Sequence, residues 1–230
     1  MPAISTSQLT QFAQQRFQQL QLPAGTDRPR FDGYLVGICR AIGSALETWR
    51  RAARLDGVRI HAVSAIGGKL ISVALDPLIL QAAPPGWEVY SRAIAAGVHN
   101  QFKSFGNDVT VPGLPWYPAF AAFPGPMAPP MPNAPTPLMT IASVASRHLK
   151  EGALTTAMFD KMPNPKPACG KELAMAVAAG LEKVVFMWLS SQMVSNVLGK
   201  GPIPTFAPPY VPVGPVVNGD ILSTPGHIAA

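Results

Sequence analysis

The chain has 230 residues, of which 48% are hydrophobic and 13% charged, about half the ~25% charged content of an average globular domain. Proline, at 26 residues, runs at about twice its usual ~5%, but a mean hydropathy of +0.20 excludes the low-hydrophobicity signature of disorder. A net charge of +6 permits contact with nucleic acid or an acidic surface without requiring it, and two cysteines, Cys39 and Cys169, exclude a disulfide framework.

The opening "MPAISTSQLTQFAQQ" lacks the basic and apolar regions of a secretory leader, so synthesis in a cytoplasm is expected. Residues 5–20 place Leu9, Phe12, Phe17 and Leu20 on one side and glutamines on the other, an amphipathic helix with Ser/Thr cap candidates. The turn "LPAGTDRP" follows, then a longer helix through "CRAIGSALETWR" (39–50). It ends in a basic knot, Arg50, Arg51, Arg54 and Arg59. Cations there complement the helix dipole; the same knot is a candidate phosphate-contact face. In "VRIHAVSAIGGKLI" (58–71), Val58, Ile60 and Ala62 alternate as in a short strand. Its Gly-Gly-Lys lacks the first glycine and the Ser/Thr of a phosphate loop, and is read as a turn.

In "DPLILQAA" (76–83), Asp76 is a cap candidate and Pro77 suits the first helical position. After "APPG" comes a second long helix, "SRAIAAGVHNQF" (91–102), and then an uncharged arm from 109 to 137 with ten prolines after residue 111. Residues 140–162 read as a helix interrupted near Gly152, and "MPNPKPACG" breaks it before a third long helix through "AMAVAAGLEKVV" (174–185). The most membrane-like stretch, "VVFMWLSSQMVSNVLG", is too short and too polar to span a bilayer. A second arm, 201–222, stays uncharged until Asp220, with a hairpin-turn signal at Asn218-Gly219.

The three long helices echo one another. Ile38, Ile42 and Leu46 align with Tyr90, Ile94 and Val98, then with Leu173, Val177 and Leu181, an i, i+4, i+8 apolar row. Beside it runs a row of mostly small residues: Gly37, Ala41, Ala45; Val89, Ala93, Gly97; and Glu172, Ala176, Gly180. Small residues let another helix approach closely. Further on, Ala53, Phe105 and Trp188 share a column. Each long helix is preceded by a shorter one and a Pro/Gly turn. The expected fold is therefore mainly α: three repeated helix-pair modules with long ordered Pro/Gly-rich connecting arms and minor β. The modules are residues 1–71, 72–137 with a Pro-rich arm, and 138–230 with a C-terminal Pro-rich arm.

The arms carry the functional expectation. Proline bars them from helices and central strands, yet they hold Trp116, Tyr117, Phe120, Phe123, Phe206 and Tyr210. Left in water these rings would form a large apolar patch. They fold back on their own helices or lie across a neighbouring subunit, and the low charge content favours the neighbour. These six are the candidate subunit-contact residues. Short helical modules ending in tails such as "GKGPIPTFAPPYVPVGPVVNGDIL", mainly over 171–222 with a partial echo at 89–130, resemble structural components of tailed-phage virions and phage-tail-like contractile particles. The resemblance implies assembly into such a particle, with copies of the chain and other particle proteins as partners. It implies no residue roles.

The alternative is a basic, nucleic-acid-associated protein contacting phosphates through Arg50, Arg51, Arg54 and Arg59. No catalytic constellation, metal set or cofactor fingerprint is present in the sequence. His61, His99, His148 and His227 are widely spaced, and Met127, Met131 and Met139 suit gap filling better than a binding groove. No enzyme activity and no cofactor are expected.

Overall fold

The computed structural model describes residues 4–62, 64–115, 126–203 and 215–228. Among the described residues about 55% are helical, in seven helices, and 19% are strand, in an antiparallel arrangement. The architecture is thus mixed α/β, with far more sheet than the minor β expected from sequence. The elements in order are α1 (Thr6–Gln19), α2 (Arg28–Ala52), β1 (Arg54–His61), β2 (Ser64–Ile71), α3 (Leu75–Ala82), α4 (Glu88–Asp108), β3 (Val111–Pro115) and β4 (Met127–Pro132). Then come β5 (Thr136–Pro137), α5 (Leu138–Ala142), a 3₁₀ turn (Ala145–Leu149), α6 (Glu151–Asp160), α7 (Gly170–Ser191), β6 (Met193–Val194), β7 (Leu198–Pro202) and β8 (Gly219–Ile221).

The chain forms two compact units, each built from three separate stretches. A helical unit takes Met1–Trp49, Val73–Phe105 and Ala145–Leu189; a sheet unit takes Arg50–Ser72, Gly106–Val144 and Ser190–Ala230. The chain passes from the first to the second near the C-terminal ends of α2, α4 and α7.

In the helical unit, the apolar row is the core. Ile38, Ile42, Leu46, Ile94, Val98, Leu173, Val177 and Leu181 are all fully buried. The small row is where backbones meet. A Cβ on Gly97 would lie 2.6 Å from the main chain of Met158, and one on Gly180 would lie 2.8 Å from Leu9 O and 3.2 Å from Ala13 Cβ. Gly37 abuts the Pro84 ring just beyond α3. Trp49, Phe102, Phe105 and Trp188 close the core at one end, with Trp49 lying 5.3 Å from Phe102 and 6.3 Å from Trp188 between ring centroids.

Polar groups terminate the short helices. Ser5 accepts the N–H of Gln8 at the start of α1. Asp76 sits within the first turn of α3 rather than capping it; His99 Nδ1 instead accepts the Leu75 N–H at 3.2 Å. Glu182 accepts the Glu151 N–H at the start of α6 at 2.6 Å. At the C-termini, Arg28 donates to Phe17 O and Leu20 O while lying over the Phe17 ring. Lys166 does the same for α6, donating to Phe159 O and Met162 O over the Phe159 ring. Each supplies protons to carbonyls that the helix leaves unpaired.

The sheet unit holds six antiparallel strands in the order β3-β2-β1-β8-β7-β4, with β5 and β6 paired separately. The alternation of Val58 and Ile60 is realised in β1, whereas Ala62 takes a left-handed turn position, φ 53°. Gly67-Gly68 is not the turn expected: it lies inside β2. Gly57 and Gly68 face each other there with φ of 70° and 79°. A Cβ on Gly68 would come within 2.5 Å of Val58 Cγ2. Both glycines take a left-handed backbone within an unshifted register, a conformation that L-side chains do not fit. Buried Asn133 ties the end of β4 to the chain beyond β6, exchanging hydrogen bonds with Val197 and donating to Val194 O.

Candidate functional site

The strands of the sheet unit determine where the two arms leave it. Residues 116–125 join β3 to β4, the two outermost strands of the sheet; residues 204–214 lie between the neighbours β7 and β8. Both outer strands are proline-rich: Pro112 and Pro115 in β3, and Pro129, Pro130 and Pro132 in β4. Proline supplies no N–H to a ladder and is confined to such edges. Beside the arms, Ile203 and Val216 are buried while Met127 is 56% exposed. The six candidate contact residues, Trp116, Tyr117, Phe120, Phe123, Phe206 and Tyr210, lie outside the described residues.

The basic knot is divided between inside and outside. Arg50 is buried, at 6% exposure. Arg54 is half-buried, and Arg51 and Arg59 are exposed. Arg59 stands opposite Asp220 across β1 and β8, and Asp220 stands opposite Lys200 across β8 and β7. A positive, negative, positive row on one sheet face favours the strands through opposite-charge neighbours. Trp49, the aromatic residue next to the knot, is 4% exposed and belongs to the core of the helical unit.

His99 and His227 are engaged locally. His61 is exposed on β1, and His99 caps α3 with Asp76 3.4 Å away. His227 is buried: Nδ1 accepts the Leu55 N–H at 3.0 Å, so the neutral ring carries its proton on Nε2, facing Thr224 Oγ1. Burial first, and Arg54 second, push its pKa down to about 4. Among the described residues no three His, Cys, Asp or Glu side chains gather as a metal set. Cys39 is buried, and burial raises its thiol to about 12, the opposite of an activated nucleophile.

An open groove runs along α1 in the helical unit, lined by Thr6, Thr10, Gln14, Gln18 and Arg40. It is polar and holds no nucleophile beside a base. Sequence signals for groups that hold the structure, such as Lys166 capping α6 from the turn beyond it, were absent because a cation in a proline-rich turn carries no pattern of its own.

α7 is the one described helix long and apolar enough to cross a membrane by length and composition, at a mean hydropathy of 1.6. Within this protein 67% of that stretch is buried, as in a core helix. No known protein family matches the chain, and neither a curated protein nor a solved structure does.

Proposed function

We propose that the chain is a structural subunit of a multi-subunit, virion-like particle, built from three helix-pair modules and joined to its neighbours through its Pro-rich apolar arms. The observation that carries this reading is that the uncharged arm at 116–125 starts and ends in the two edge strands of the sheet. Edge strands are where one chain adds to another, and proline there blocks indiscriminate pairing, leaving side chains to choose the partner. The aromatic residues of the arms are the anchors: Trp116, Tyr117, Phe120 and Phe123 on one, Phe206 and Tyr210 on the other. Large rings in desolvated pockets dominate interface energies. The resemblance of the arms to those of tailed-phage structural proteins supports a particle of that class. The role is non-enzymatic and needs no cofactor.

The test is size in solution. The purified chain is followed by sedimentation over a wide concentration range, beside a variant carrying Trp116→Ser, Tyr117→Ser and Phe120→Ser. Concentration-dependent assembly by the parent chain, lost in a variant with unchanged circular dichroism, is the expected result. A chain that stays monomeric throughout, with both arms resistant to protease, defeats the reading.

A further inference from the structure

In each unit the three stretches of chain contact one another in one cyclic order. In the helical unit, Gly37 of α2 meets Pro84 beyond α3, Gly97 of α4 meets Met158 of α6, and Gly180 of α7 meets Leu9 and Ala13 of α1. The first long helix touches the second short-helix stretch, the second touches the third, and the third returns to the first. In the sheet unit, β2 pairs with β3, β4 with β7, and β8 with β1. Those pairings again join the first stretch to the second, the second to the third, and the third to the first. An array of stacked repeats would leave its two ends apart; here they meet.

Like devices recur in the repeats. Glu182 and His99 occupy one column of the aligned long helices, and each accepts the first N–H of the short helix before it, at Glu151 and Leu75. Arg28 and Lys166 each cap a short helix while covering its Phe ring, at 5.6 and 4.9 Å from the ring centroids. Neither pair shares a residue type, so the likeness lies in what the residues do.

We infer that the chain is a single-chain trimer of one module, and that the partner it fits is a ring of identical protein subunits whose number is a multiple of three. This rests on the assembly reading above. Closed rings of identical subunits present the same surface once per subunit, and a chain offering three like faces engages three of them in one docking event. The second and third contacts then form intramolecularly, with the avidity that multivalent binding confers.

Thr48, Asn100 and Lys183 share one column of the long helices and all three are exposed, so they report on the three faces. A photo-crosslinking residue is placed at each in turn, in the full chain, and the assembled particle is purified, irradiated and analysed by mass spectrometry with copy counting. Expected are cross-links from all three positions to the same peptide of the same partner, in comparable yield, at one chain to three partner subunits or a multiple of three. Cross-links to different proteins, or a partner count not divisible by three, overturn the trimer-matched partner and leave the assembly role standing. A chain that is recovered free, with no cross-link from any position, overturns both.

Discussion

Gly97 packs flat against Met158, so that a Cβ on the glycine would lie 2.6 Å from both the N and the Cα of that residue. Main chain cannot swing aside as a side-chain tip can. Gly97→Ala is therefore expected to destabilise the protein by about 1–3 kcal/mol, the usual penalty of forcing volume into a packed core. Gly180→Ala, against Leu9 O, belongs to the same class. Gly152, in α6 with open space around it, is the control: alanine there stabilises by about 0.5 kcal/mol through lower chain entropy. Urea unfolding of the three variants separates the two directions.

Glu182 does two things at the start of α6, accepting the Glu151 N–H and pairing with Lys150 at 3.1 Å. The Lys150 end is exposed, and such pairs contribute about 0–1 kcal/mol. The backbone acceptor matters more, because an unpaired helix N–H costs about 1–2 kcal/mol. Glu182→Ala is expected to lose that amount, Glu182→Gln less because its amide oxygen still accepts, and Lys150→Ala least. Hydrogen exchange at the Glu151 amide gives a local readout alongside the global melt.

The apolar row was legible because helical period and burial coincide; eight of its nine residues are fully buried. Tyr90 differs since it begins α4, where its hydroxyl reaches out to Ala168 O. The small row fades at Val89, 47% exposed, for the same reason: it lies ahead of the helix crossing. The break expected at Gly152 falls instead at Ser143–Val144 and at Lys150, since an exposed glycine in a first helical turn costs little. The sheet was mostly illegible. "MAPPMP", "LGKGP" and "GDI" in β4, β7 and β8 lack the β-branched alternation of a strand, and their pairing comes from their neighbours. Of the candidate contacts, composition alone pointed to the aromatic arms, and the buried position of Arg50 left no mark in a run of arginines.

His227 makes the sheet unit sensitive to acid. Its folded pKa is lowered to about 4, against about 6.5 in an unfolded chain. Between those values the unfolded chain binds the proton and the folded one does not, so stability rises with pH across this window. The contribution is fully present above pH 6.5 and is lost as pH falls toward 4. His227→Gln, which offers Leu55 an acceptor but does not titrate, is expected to flatten that limb of a plot of unfolding midpoint against pH. An imidazole signal that titrates near 6.5 in the folded protein contradicts this.

Cys39 and Cys169 are both free and buried, at 0% and 2% exposure. Cys39 sits in the core row of α2 beside Ile38, with its thiol raised to about 12 by burial, and Cys169 lies against Thr26 Oγ1 at 3.2 Å. Thiolate is the reactive form, and neither sulfur meets solvent without an opening of the helical unit. Labelling by a thiol reagent is therefore expected to be slow for both in native buffer and rapid in denaturant. With excess reagent, the Cys39 rate tracks the population of the open state as urea is added. Gly97→Ala and Gly180→Ala, which weaken the same unit, then accelerate Cys39 labelling in proportion to their loss of stability, whereas His227→Gln, in the sheet unit, leaves it unchanged at neutral pH. Equal acceleration by all three variants at that pH means that the two units open together.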